Sequence, residues 1–76
     1  MPVFIKLGPF EADKPENYAF INPEFIASIT SIKDDAGNRK FHIFMVGDED
    51  PYIVSMDVFE EFMLRCKDNT VSFVCK

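Results

Sequence analysis

Residues 26–46 read Ile-Ala-Ser-Ile-Thr-Ser-Ile-Lys-Asp-Asp-Ala-Gly-Asn-Arg-Lys-Phe-His-Ile-Phe-Met-Val, and the fold turns on whether the first third is strand or helix. Phe25, Ile26, Ile29 and Ile32 fit a helical stripe, whereas the β-branched Ile26, Ile29, Thr30 and Ile32, interleaved with Ser28 and Ser31, fit a strand. Just upstream, Asn22-Pro23 is a helix-start signal, because Asn caps free amides and Pro suits the first helical position. The expectation is one helical turn over residues 23–25 and then a strand. Asp34-Asp35-Ala36-Gly37-Asn38 is turn chemistry, since Gly and Asn tolerate positive φ, and it joins that strand to a second one over residues 39–46. In this second arm Phe41, Ile43 and Met45 share one face and His42, Phe44 and Val46 the other, so both faces are largely apolar and the strand is expected to be central.

Working outward, Val3, Ile5 and Leu7 alternate with Phe4 and Lys6 and stop at Gly8-Pro9, which predicts a strand over residues 2–7. Residues 10–17 are a polar loop, and residues 18–21 a short strand. Downstream, Gly47-Asp48-Glu49-Asp50-Pro51 is an acidic turn before a short strand at residues 52–54. Ser55 then offers an N-cap, with Asp57, Glu60 and Glu61 early and Arg65 and Lys67 late, which suits the dipole of a helix over residues 56–67. Val58, Phe59, Phe62, Met63 and Cys66 fall on one face of it, and Glu61 can pair with Arg65 on the outside. Residues 70–75 alternate as a last strand. About six short strands and one late helix predict a single α+β domain over residues 1–76: a strongly curved antiparallel sheet or partial barrel with the helix packed on it.

At 76 residues the chain can hide only about 60% of the surface its unfolded form exposes, enough for one modest core. Its 47% hydrophobic and 28% charged content argues for a folded chain, and nine Phe and two Tyr supply large buried areas. No apolar run approaches the roughly 20 residues that span a bilayer, and the first ten residues carry Lys6, two prolines and no cleavage pattern. The expectation is a cytoplasmic protein without membrane insertion. Cys66 and Cys75 form no CxxC motif; reduced thiols on packed elements are favoured, and a single bridge between helix end and last strand stays open.

Glycine occurs only at positions 8, 37 and 47, so neither a P-loop nor a GxGxxG cradle can be assembled. His42 is the sole histidine, and a hydrolytic or metal site would have to recruit Cys66, Cys75 or scattered carboxylates. The carboxylates of Asp34-Asp35 and Asp48-Glu49-Asp50 lack the alternating ligands, central Gly and distal Glu of an EF-hand loop. No cofactor or metal is expected, and a small enzyme built on His42 is the weakest of the alternatives.

Thirteen acids against eight bases leave a net charge of −5, and the bases are dispersed along the chain, which disfavours direct nucleic-acid binding. The opposite use stays open: spaced carboxylates can occupy a basic groove that normally holds DNA or RNA. Apolar surplus is the second interaction signal, because Phe44 and Val46 need cover, as do some of Phe4, Phe10, Tyr18 and Tyr52. A homodimer, another protein partner or barrel closure would supply it. These signals predict a non-enzymatic protein-binding domain, an acidic adaptor or inhibitor that engages a basic, nucleic-acid-handling partner through Asp34, Asp35, Phe44, Asp48, Glu49, Asp50 and Tyr52. Small inhibitors carried by phages offer an analogy.

Phe20-Ile21-Asn22-Pro23-Glu24-Phe25-Ile26-Ala27-Ser28-Ile29, then a hairpin, then Val54-Ser55 leading into Val58-Phe59-Glu60-Glu61-Phe62, resembles the small flagellar FlbD (swarming motility) proteins. Those chains show an Ile-Asn-x-x-x-Ile-x-x-Ile pattern, a β-hairpin and an acidic helix opened by serine. The likeness covers roughly the middle two-thirds of the chain. This chain departs from it in the 10–17 loop, the 47–51 insertion and the strand after the helix. The resemblance implies an accessory protein that oligomerises or docks through an apolar sheet face, and it carries over no catalytic residue.

Overall fold

The computed structural model describes residues 3–68. Strand β1 (Ile5–Leu7) pairs antiparallel with β2 (Ala19–Ile21), setting Ile5 opposite Ile21, Lys6 opposite Phe20 and Leu7 opposite Ala19. Alternation therefore sends Ile5, Leu7 and Ile21 inward, where all three are buried, and leaves Lys6 and Phe20 outside. The loop between them folds on itself through Phe10 N–H donating to the Asn17 carbonyl at 2.9 Å, with a Lys14–Glu11 ion pair at 3.5 Å.

Asn22 then stops the extended run. Its side-chain oxygen accepts the Glu24 N–H at 3.0 Å, and Pro23 opens a single 3-10 turn, Pro23–Phe25. The competition between helix and strand resolves as the β-branched residues favour: one turn, then strand β3 (Ile26–Lys33). β3, β4 (Arg39–Met45) and β5 (Tyr52–Ser55) form an antiparallel sheet in that order, with a bulge between Ile26 and Ser28. β4 is central, as its two apolar faces require.

Helix α1 (Met56–Asp68) starts where Ser55 Oγ accepts the Val58 N–H at 3.3 Å, with Asp57 in the positive first turn and Arg65 and Lys67 in the negative last one. It packs against β1, β4 and β5. The core therefore forms between two sheets and a helix: Ile5, Leu7 and Ile21 from one sheet, Ile43 and Val54 from the other, Phe62 and Cys66 from α1. Each such apolar side chain contributes about 1.5 to 3 kcal/mol when fully buried. Val58, Phe59 and Met63 extend the contact, and Glu61 pairs with Arg65 at 3.5 Å outside. Arg65 also donates to the Lys6 carbonyl at 3.3 Å, tying the end of α1 to β1.

The architecture is a small α+β fold, and it differs from the expected arrangement in one respect. Among the described residues, five strands divide into two antiparallel sheets instead of forming one curved sheet, and no barrel closes. The cause is local: the Asn22 cap and the 3-10 turn interrupt the extended chain between β2 and β3, so β3 starts a new sheet. The expected final strand at residues 70–75, with Cys75, lies outside the described residues, as does Pro2. No helix among the described residues is long and apolar enough to cross a membrane.

Candidate functional site

The two acidic turns are built differently. In the 34–38 turn, one oxygen of the Asp34 carboxylate accepts the N–H groups of Ala36 at 3.0 Å and Asn38 at 2.8 Å, so Asp34 is engaged in shaping the hairpin. Asp35 is exposed beside it. In the 47–51 turn, Asp48 N–H donates to the Met45 carbonyl at 3.1 Å, and Asp48, Glu49 and Asp50 are all exposed. The turns lie at opposite ends of the seven-residue β4, separated by about 20 Å at roughly 3.3 Å per residue, and cannot form one surface.

The two candidate aromatics also part company. Tyr52 lies opposite Ile43, on the face that α1 covers, and stacks on Phe10 with ring centroids 5.6 Å apart and planes 9° from parallel. Phe44 lies opposite Ser28 on the other face. Pairing and alternation place Ile32, His42 and Ile53 on that outer face as well. Phe10 and Tyr52 thus cover one another, while Ile32 and Ile53 are exposed and Phe44 is half-buried.

Proximity favours a smaller set around the 47–51 turn. Val46 N–H donates to the Phe25 carbonyl at 2.7 Å, which brings these two residues together immediately before Asp48. Val46 is 65% exposed and Phe25 58%, large values for side chains of this kind. Phe44 is two residues from Val46 along the strand. Phe25 was missed in the sequence because its position in the Pro23–Phe25 turn explains it structurally; only the hairpin register shows that it lies beside Val46.

A second feature was also invisible. The bases look dispersed in the chain, yet the hairpin sets Lys33 opposite Arg39 and Ile32 opposite Lys40, so three of them converge. With Ser55, Met56 and Asp57 they line an open groove of about 620 Å³ at the start of α1. Arg39 donates to Ser31 Oγ at 2.6 Å, and Asp57 is the one carboxylate among the residues that line the groove. A third cluster sits on the outside of β1 and β2, where Tyr18 meets Phe20 edge to face at 5.7 Å and Lys6 Nζ lies 4.7 Å from the Tyr18 ring centre.

His42 stands between Thr30 and Ile53 in register, with no carboxylate or thiol opposite it. Cys66 lies on the other side of β4, in the core, and burial pushes its thiol up to about 11 from 9.0. The thiol is therefore protonated near neutral pH and a poor nucleophile. Among the described residues, no three His, Cys, Asp or Glu side chains gather in a way that could hold a metal ion. No family model matches this chain, and comparisons with curated proteins and with solved structures find no significant match.

Proposed function

We propose that this chain is a non-enzymatic, cytoplasmic protein-binding domain that presents the 47–51 acidic turn to a basic protein partner. It acts in this reading as an adaptor, or as an inhibitor that takes the place of nucleic acid in a basic groove. The observation that carries the reading is the adjacency of three exposed carboxylates, Asp48, Glu49 and Asp50, to the exposed Phe25 and Val46. Carboxylates steer encounter with a basic surface, and apolar side chains beside them slow dissociation. Asp35 and the engaged Asp34 belong to the far end of β4 and lie outside this surface, as does Tyr52, which stacks on Phe10 on the face that α1 covers.

The test is recovery of partners from lysate by the native chain and by a variant carrying Asp48→Lys, Glu49→Lys and Asp50→Lys. The expected result is a partner lost in the variant and progressively lost from the native chain as salt rises. Recovery unchanged by both removes the electrostatic mechanism.

A second reading follows the FlbD resemblance: a motility accessory that docks through the outer face of β3-β4-β5. It is supported by Ile32, Phe44 and Ile53 sharing that face. Flagellar genes on either side of the coding sequence favour it, and phage structural genes count against it.

A further inference from the structure

We infer that the free edge of β3 is a self-association surface, along which a second copy of this chain pairs antiparallel to form a continuous six-stranded sheet. The inference is independent of the acidic-turn reading and rests on different residues.

β3 is the outermost strand of its sheet, eight residues long, and exposed from Ala27 to Lys33. One side of its backbone pairs with β4; among the described residues nothing pairs with the other side, which presents a row of N–H and C=O groups. Edge strands of this length are ordinarily blunted by proline, by charges along the strand or by a covering element. β3 carries no proline and only one charge, at its last residue, and its bulge lies at its start. α1 packs on β1, β4 and β5, which leaves Ile29 37% exposed on one face and Ile32 44% exposed on the other. The free edge of β5, by comparison, is four residues long and runs directly into α1.

Charge selects a second copy as the occupant. The chain carries thirteen acids, yet none falls between Phe25 and Lys33, so the edge escapes the repulsion expected of a net −5 protein. Glu24, in the 3-10 turn, lies two residues before the strand, and Lys33 closes it. An antiparallel copy brings Glu24 of each chain toward Lys33 of the other, twice by symmetry, while Ser28, Thr30 and Ser31 fill the middle without like charges opposed. Asp34, the next residue, has one carboxylate oxygen committed to the hairpin turn.

The test is sedimentation velocity across concentration on the full chain, with circular dichroism and chemical denaturation confirming that each variant folds. The native chain is expected to dimerise reversibly. Glu24→Lys and Lys33→Glu, both at exposed positions, each raise the dissociation constant on the order of tenfold, because each change affects two symmetric contacts. The combined Glu24→Lys, Lys33→Glu variant returns to within about threefold of native. Thr30→Lys, which sets two ammonium groups near the symmetry axis, weakens the dimer by at least about tenfold. A native chain that stays monomeric into the millimolar range overturns the inference. So does a dimer indifferent to these substitutions, or one lost in the single reversals and not regained in the double variant.

Discussion

Phe41 on β4 and Phe59 on α1 stack with ring centroids 4.1 Å apart and planes 8° from parallel. The contact joins the central strand of the larger sheet to the first turn of the helix, at the rim of a core whose fully buried members include Ile43, Val54 and Phe62. Both rings are only half-buried, so truncation removes less than a full core burial. Phe59→Ala is expected to cost about 2 to 3 kcal/mol and Phe41→Ala a similar amount. In urea melts of both single variants and the double, the coupling between them should be about 1 kcal/mol. Strict additivity would mean that the stacking contributes nothing beyond area.

Gly8 and Gly37 both hold positive φ, at 145° and 86°, but their surroundings differ. A Cβ on Gly8 would lie 2.5 Å from Tyr18 Cβ and 2.8 Å from Tyr18 Cα, so relief requires backbone movement between β1 and β2. Nothing lies within 4 Å of the same position on Gly37. Gly37→Ala should therefore cost only the left-handed backbone penalty, about 1 kcal/mol, whereas Gly8→Ala adds overpacking of about 1 to 3 kcal/mol. Thermal melts should rank them in that order. Equal losses would show that the loop before β2 yields freely.

The two caps offer a similar contrast. Asn22 is 6% exposed and accepts the Glu24 N–H at 3.0 Å, whereas Ser55 Oγ accepts the Val58 N–H at 3.3 Å in a half-buried setting. Asn22→Ala should cost about 1 to 2 kcal/mol, because it removes both the cap on the Glu24 N–H and the packing of a buried side chain. Ser55→Ala should cost about 0.5 to 1 kcal/mol. Denaturant midpoints of the two variants give the comparison directly, and a larger loss at Ser55 would reverse the assignment of the tighter cap.

These caps also explain which parts of the fold were legible in the sequence. Asn22-Pro23, Asp34 with Gly37-Asn38, and Ser55 each act on neighbours within four residues, so the 3-10 turn, the hairpin and α1 follow from local chemistry. Partition into two sheets follows only in part: the Asn22 cap and the 3-10 turn interrupt the chain locally, but the two sheets meet through α1, whose Phe62 and Cys66 share one core with Leu7 and Ile43, residues far apart in the chain. The candidate surface was half legible for the same reason. The exposure of Asp48, Glu49 and Asp50 follows from turn composition. That Phe44 and Tyr52 face opposite sides depends on Tyr52 pairing with Ile43, a register that the 47–51 turn does not announce. Convergence of Lys33, Arg39 and Lys40 follows only once the hairpin register is known.

Cys66 makes stability depend on alkaline pH in a direction that can be worked out. Its thiol, 1% exposed, is pushed by burial from 9.0 up to about 11, so above pH 9 the unfolded chain loses this proton while the folded chain keeps it. A folded pKa raised above the unfolded one contributes stability that is complete below pH 9 and is lost as pH rises from 9 through 11. With about 1.4 kcal/mol per pKa unit, the loss approaches about 2 to 3 kcal/mol. The measurement is the unfolding free energy at intervals from pH 7 to 11, in a Cys75→Ser background and in the same background with Cys66→Ala. The alanine variant starts lower, because it leaves a small cavity, but should decline less steeply above pH 9. Parallel declines would mean that the folded chain releases the Cys66 proton as readily as the unfolded one. In the same background, native Cys66 should react with a soluble disulfide reagent only as fast as the chain opens, and denaturant should accelerate the reaction.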